Sequence, residues 1–368
     1  VLLSLFCGAG GLDLGFEKAG YKVGLAFDKK ADSVASYNHN RKPANAVALV
    51  ADVKELTLDH LDQLYGKRFE PTGLIGGPPC QSFSQANRTV LESDIRHTLP
   101  LVYCDILERL NNRKPVQFFV MENVTGLCRR EHADRLSAII RRMDSIGFNV
   151  EKHILNASLY QTPQKRERLF LVGINRHLFN DQRWLPPIPT TLDQESVTVR
   201  YAIGGLPEPA YFERGADPAK FPAHPNHWCM QPKSSKFLAP GALIPGNGSK
   251  RSFKTLAWET PSITVAYGNR EVHIHPNCHR RLSVYEAMLL QSFPKNYELV
   301  GSLSSQFAQV SEAVPPLLAQ AVAESISRQL KHRPQKQDKH PFRPLPFLRK
   351  VVEPHISKTT RQQLRRQS

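Results

Sequence analysis

VLLSLFCGAGGLDLGF, residues 1–16, holds the decision about fold. Its first six residues form an apolar run with Ser4 the one polar member, as expected of a strand buried on both faces of a parallel sheet. Gly8, Gly10 and Gly11 follow, and then Leu12, Phe16 and Ala19 recur at helical spacing. A secretory leader fits less well, because the run is short, lacks a basic start and passes straight into glycines. The chain opens at Val1, so a few residues are expected to precede it.

Working outward, YKVGLAF (21–27) reads as a second strand and Ala31 to Tyr37 as a second helix. GLIGG (73–77) and VQFFVMEN (116–123) are two further strands. A helix over about 133–146 follows, with Leu136, Ile139, Ile140 and Met143 on one face, and RLFLVGI (168–174) closes the set. Strands alternating with helices predict an α/β chain built on a doubly wound sheet with right-handed crossovers. The texture changes after about residue 176. Prolines, isolated glycines and scattered aromatics over 184–278 read as irregular and loop-rich. Helical pattern returns in RLSVYEAMLLQSF (281–293), taken as amphipathic, and over about 314–330, which opens on Pro315 and Pro316. Beyond 331 the chain is Pro-rich, basic and expected to be flexible.

The 368 residues are 40% apolar and 22% charged, which suits a folded globular protein. No run of about 18 apolar residues appears, so no membrane span is expected. Six cysteines (7, 80, 104, 128, 229, 278) are scattered without a CxxC pair, which points to reduced thiols and an intracellular, cytoplasmic home. The net charge of +16 favours an anionic partner, nucleic acid first. Much of that charge sits in the tail: residues 331–368 hold 11 Lys+Arg against 2 Asp+Glu. A basic tail is more often a solvated extension than a reader of sequence.

Four segments carry candidate chemistry. In FCGAGGLDLGF (6–16) the glycines let backbone approach a ligand at a helix N-terminus, and Asp28 ends the second strand where a carboxylate can accept from ribose hydroxyls. Nicotinamide-dinucleotide binding, S-adenosylmethionine binding and a bare tight turn all fit this much. GGPPCQSFS (76–84) places Cys80 on a proline-stiffened loop after an apolar strand. A cysteine taken alone is more often a small buried hydrophobe, yet its neighbours here are polar or rigid. VMENV (120–124) puts Glu122 at a strand end, where a partly desolvated carboxyl has a raised pKa; a capping role competes. In QKRERLFLVGI (164–174), Arg166 and Arg168 share one side of an extended chain, with Lys165 and Glu167 on the other. Two guanidiniums on one face suit a carboxylate, a phosphate or a base carbonyl. The histidines and cysteines at 224, 227, 229, 273, 275, 278 and 279 match no zinc-site spacing, and no metal is expected.

Taken together, the four segments match in order and spacing the signature blocks of one family. The sequence resembles the DNA (cytosine-5)-methyltransferases of prokaryotic restriction-modification type. DIRHTL (94–99), RRLSVYEAMLLQSFP (280–294) and QVSEAVPPLLAQ (309–320) resemble weaker blocks of the family, so the likeness covers roughly 1–178 and 260–330. One departure stands out: the family's Gly-Asn before Ala-Val-Pro-Pro is Ser311-Glu312 here.

The resemblance implies an S-adenosylmethionine-dependent methyltransferase sheet with a smaller, loop-rich target-recognition domain. The implied boundaries are 1–178 for the catalytic domain, 179–278 for target recognition, 279–330 for a return to the catalytic domain and 331–368 for the tail. It assigns Cys80 as covalent nucleophile, Glu122 as the group on N3 and the exocyclic amine of cytosine, and Arg166 and Arg168 as holders of the base carbonyl and that carboxylate. It also implies a donor site: Phe6 near the adenine, Asp28 on the ribose, Asp52 on the adenine amine. Gly8, Ala9, Gly10 and Gly11 belong to the same implied set, as do Lys29, Val53, Pro79, Leu99, Glu312 and Val314. The products are 5-methylcytosine in double-stranded DNA and S-adenosylhomocysteine. The target base has to leave the duplex, with the 82–98 loop closing over it. A stand-alone prokaryotic or phage enzyme, monomeric in action and paired in function with a restriction endonuclease, is the expectation. Three rivals compete: an RNA cytosine methyltransferase, a non-catalytic DNA-binding relative and a nicotinamide dehydrogenase. The last leaves the PPCQ and MENV segments unexplained.

Overall fold

Leu2, Leu3, Ser4 and Leu5 are all buried, and their side chains part to opposite faces. Leu3 and Leu5 join one hydrophobic layer, Leu2 the other. Phe119 and Met121 sit with the first layer, Phe118 and Val120 with the second. This is the period-two alternation of strands covered on both faces.

The computed structural model describes residues 1–79, 99–191, 196–239, 241–247, 253–264 and 273–331; Cys80, the 82–98 segment and the tail beyond 331 lie outside the described residues. Seven strands form the central sheet: β1 (Leu2–Leu5), β2 (Val23–Asp28), β3 (Ala48–Val50), β4 (Gly73–Gly76), β5 (Phe118–Val124), β6 (Phe148–Asn156) and β7 (Glu167–Asn175). Their order is β3-β2-β1-β4-β5-β7-β6. The first five pair in parallel.

β7, unlike the five parallel strands, runs antiparallel to both β5 and β6. The cause is the connection: residues 157–166 between β6 and β7 hold one 3-10 turn and no α-helix. A parallel return needs a crossover of a dozen or more residues, usually helical, whereas a short link makes a hairpin. The reversal matters for function. It brings the start of β7, with Arg168 opposite Val124, to the C-terminal edge of the parallel strands.

Helices α3 (Leu58–Tyr65), α4 (Leu99–Arg113) and α5 (Ala133–Ser145) supply Leu61, Leu107 and Leu136 to the first layer. On the other face α1 (Gly11–Lys18) packs with α8 (Pro316–Lys331), joining Leu12 and Phe16 to Leu318, Val322 and Ile326. The remaining helices used below are α2 (Ala31–His39), α6 (Val284–Leu290) and α7 (Leu303–Glu312). A third cluster ties Val199, Ile203, Trp228 and Leu256 to α6 and α7.

α6 was expected to be amphipathic, and every one of its residues is buried. An all-round covered helix needs its polar ends satisfied internally. Ser283 and Glu286 form a reciprocal capping box, and Glu286 also accepts two bonds of 2.9 Å from the buried Arg280.

Candidate active site

The C-terminal ends of β1, β2, β4 and β5, the start of β7 and the α7–α8 junction enclose a cavity of about 660 Å³. Open α/β sheets bind their ligands at this edge. Its wall contains eleven residues of the expected donor set: Phe6, Gly8, Gly11, Asp28, Lys29, Asp52, Val53, Pro79, Leu99, Glu312 and Val314. Ala9 and Gly10 are not among the lining residues. Ala9 is buried and its carbonyl accepts from the Tyr297 hydroxyl at 2.5 Å. Gly10 backs onto α2, where a Cβ would lie 2.8 Å from the Tyr37 ring.

The glycine loop is shaped by its contacts. Gly8 has φ +53° and donates its N–H to Asp28 Oδ2 at 2.9 Å, while Lys30 N–H donates to Asp28 Oδ1 at 2.8 Å. Gly11 faces the α7–α8 junction so closely that a Cβ would lie 2.4 Å from the Val314 carbonyl oxygen. Asp52 caps a 3-10 turn: the Lys54 N–H donates to it at 3.1 Å and the Lys29 ammonium at 3.3 Å. Those two contacts, the backbone one first, hold the Asp52 carboxyl below its ordinary range.

At the other end of the cavity lie Glu122, Arg166 and Arg168. Arg168 Nε is 3.0 Å from Glu122 Oε1, with side-chain exposures of 13% and 10%. Burial pushes Glu122 up from the carboxylate range, against the opposing pull of Arg168 and Arg166. Arg166 is fully buried and donates from Nη2 to the carbonyls of Ser311 (2.5 Å) and Ala313 (3.0 Å). It therefore grips the α7–α8 junction as well as facing the Glu122 carboxyl. Lys165 and Glu167 are exposed, so the two arginines turn inward and their neighbours outward. Cys80 lies outside the described residues; Pro78 and Pro79, which precede it, line the cavity.

Several contributors were not read from sequence. Asn123 donates to the Pro78 carbonyl at 3.0 Å, tying the end of β5 to the proline loop. Its place in MENV was the available signal. Gln164 Nε2 donates to Gln291 Oε1 (2.8 Å), and Gln291 Nε2 to the Ala313 carbonyl (2.6 Å), a buried chain behind Arg166. Lys30 pairs with Glu312, 282 positions away, and no sequence pattern announces such a contact.

The histidine-rich stretches do structural work. His224 stacks on Tyr285 with centroids 4.1 Å apart. His227 pairs with Ser283 Oγ and the Pro207 carbonyl, each at 2.8 Å. His275 accepts from the Asn277 N–H, and burial lowers its pKa to about 4.

The sequence model of the C-5 cytosine-specific DNA methylases matches residues 1–328. The chain belongs to that family. Among related methylases it is 31% identical over 346 residues to the Type II methyltransferase M.PspPI of Psychrobacter sp. (strain TA137), covering 90% of this chain and 80% of that one. It is 30% identical over 358 residues to the Type II methyltransferase M.MthTI of Methanothermobacter thermautotrophicus, covering 89% and 97%. Its fold resembles the crystal structure of a putative DNA modification methyltransferase encoded within a prophage (E. coli), with TM-score 0.69, 20% identity and 90% and 99% coverage. The methylase family is S-adenosylmethionine-dependent, and the seven-stranded sheet is the fold of its structural neighbours. No described helix of this methylase is long and apolar enough to cross a membrane.

Proposed function

We propose that the chain methylates C5 of a flipped-out cytosine in a specific double-stranded DNA sequence, through a covalent bond from Cys80 to C6. The observation that carries this reading is one cavity with two chemically distinct ends: the glycine loop with Asp28 and Asp52, and the buried Glu122–Arg168 pair beside Arg166.

The donor end fits S-adenosylmethionine. Phe6, Val53, Pro79 and Leu99 offer apolar surface for a purine, and Asp28 and Asp52 offer acceptors for hydroxyls and an amine. Gly8, Gly11, Lys29 and Val314 complete that end, Glu312 stands at its rim paired with Lys30, and Ala9 and Gly10 shape the loop from behind. When bound, the donor supplies an electrophilic methyl group on a sulfonium.

The chain's own residues do the rest. Cytosine C5 is a poor nucleophile until a thiolate adds at C6, and Cys80 is the group for that addition. Glu122, whose pKa burial raises against the pull of Arg168, hydrogen-bonds the base at N3 and its exocyclic amine, and a proton passed to N3 stabilises the charge moving onto the ring. Arg168 orients that carboxyl through Nε and, with Arg166, meets the base carbonyl. The methyl moves to C5 with S-adenosylhomocysteine as the leaving group; a base then takes the C5 proton, N3 returns its proton to Glu122, the C6–sulfur bond breaks and the thiolate of Cys80 is released. Residues 1–178 and 279–330 form the catalytic domain in this reading, and 179–278 choose the target. The related proteins named Type II methyltransferases support a role beside a restriction endonuclease, in function and not necessarily in contact.

Incubating the protein with tritiated donor and plasmid DNA, then bisulfite sequencing, tests the proposal. Label in DNA and protected cytosines within one short sequence are expected. Label in transfer RNA alone, or no label, contradicts it.

A further inference from the structure

Two consecutive lysines follow Asp28, and they reach opposite walls of the cavity. Lys29 goes to Asp52, beyond β3. Lys30 goes to Glu312, the last residue of α7, with Nζ 2.5 and 2.6 Å from the two carboxylate oxygens. Lys30 and Glu312 both line the cavity, and their side chains are 50% and 46% exposed, which sets the pair at its mouth. Both oxygens are engaged, so each charge is spent on the other.

The walls that the bridge joins differ in how they are held. The α7–α8 junction is fixed from inside, by Arg166 on the carbonyls of Ser311 and Ala313 and by Gln291 on that of Ala313. The loop after β2 is fixed at Asp28 by the N–H groups of Gly8 and Lys30. The Lys30 and Glu312 side chains are the flexible parts of this rim, long and half in water. A contact between two such side chains can open without moving either wall.

We infer that the Lys30–Glu312 pair is a gate on the donor end of the cavity, setting the rate at which S-adenosylmethionine enters and leaves. The inference rests on the proposed donor site and deepens it. A gate and a ligand contact have different signatures. A gate slows passage in both directions and leaves affinity nearly unchanged; a direct contact between Glu312 and the donor changes affinity. The pair is solvent-touching, so its effect is that of a surface ion pair, roughly two- to fivefold in a rate, and weakens with salt.

Surface plasmon resonance on the immobilised full chain, with S-adenosylmethionine and S-adenosylhomocysteine as analytes at about 50 and 300 mM salt, reads this directly. Glu312→Gln keeps shape and removes charge; Lys30→Met does the same from the other side. Each is expected to raise association and dissociation rate constants together by about two- to fivefold, with Kd within twofold. Salt should speed exchange in the wild type and not in the variants, and the reversed pair K30E/E312K should restore slow exchange. Unchanged rates in both single variants overturn the gate. So does a rise in Kd with an unaltered association rate, which makes Glu312 a direct donor contact. A wild-type chain that binds neither analyte sinks the donor assignment itself, a result distinct from either.

Discussion

Arg168→Ala probes the buried ion pair at the centre of the site. In the wild type, Arg168 Nε sits 3.0 Å from Glu122 Oε1, and about a tenth of each side chain reaches solvent. Removing one partner of such a pair costs about 3–5 kcal/mol while the remaining charge stays ionised. Glu122 has an escape, which is to take up a proton. Burial already raises its pKa, with Arg168 the largest force opposing that rise, so the variant's pKa climbs further. A carboxyl whose folded pKa lies above its unfolded value gives stability at low pH that is lost as pH rises through the folded pKa. Arg168→Ala should therefore stay close to wild type near pH 5. Above that it should fall behind, by up to about 1.4 kcal/mol per pH unit through the ionisation, toward the 3–5 kcal/mol ceiling. Urea unfolding at pH 5, 7 and 9, followed by tryptophan fluorescence, measures this. The cycle is closed with Glu122→Gln: the double variant should be more stable at pH 9 than Arg168→Ala alone, because no buried charge is left behind. A deficit equal at pH 5 and pH 9, with additive single effects, would refute the reasoning.

Two further expectations follow from the glycine loop. Gly11→Ala places a Cβ 2.4 Å from the Val314 carbonyl oxygen, a backbone atom with little room to yield. It should cost about 1–3 kcal/mol and weaken donor binding in calorimetry, and wild-type values for both would contradict the packing described. Asp13 beneath the loop is fully buried, accepts from Ser4 Oγ at 2.7 Å, and has its pKa raised by burial to about 6. Wild-type stability should thus lose up to about 3 kcal/mol as pH rises from about 4 to 6, relative to Asp13→Asn, which keeps the acceptor without the charge. Parallel stability profiles for the two proteins would remove Asp13 as the cause.

Four of the five parallel strands were legible because they are covered on both faces; β3, at one edge with Val50 exposed, was not. VLLSLF and VQFFVM are apolar but for Ser4 and Gln117, and VGLAF of β2 reads the same way. β6 escaped notice for the opposite reason. It lies at the sheet's edge, and FNVEKHILN mixes buried and exposed positions, with Ile154 half exposed. The direction of β7 is set by a helix-free link and not by its own residues, so RLFLVGI could not disclose it. α4 buries Tyr103, Ile106, Leu107 and Leu110, a helical spacing that the sequence does carry. The residues of the site were legible singly, through short segments at strand ends. Their mutual placement was not, because the Glu122–Arg168 contact depends on an antiparallel register, and Lys30–Glu312 on segments 282 positions apart meeting.

The central claim is a covalent bond between Cys80 and the target base. A duplex carrying 5-fluorocytosine at the methylated position, incubated with protein and S-adenosylmethionine, should yield a denaturation-resistant conjugate. Peptide mass mapping should place the DNA on Cys80, and Cys80→Ser should give none. No conjugate from a protein that methylates the ordinary duplex, or attachment at another residue, contradicts the account.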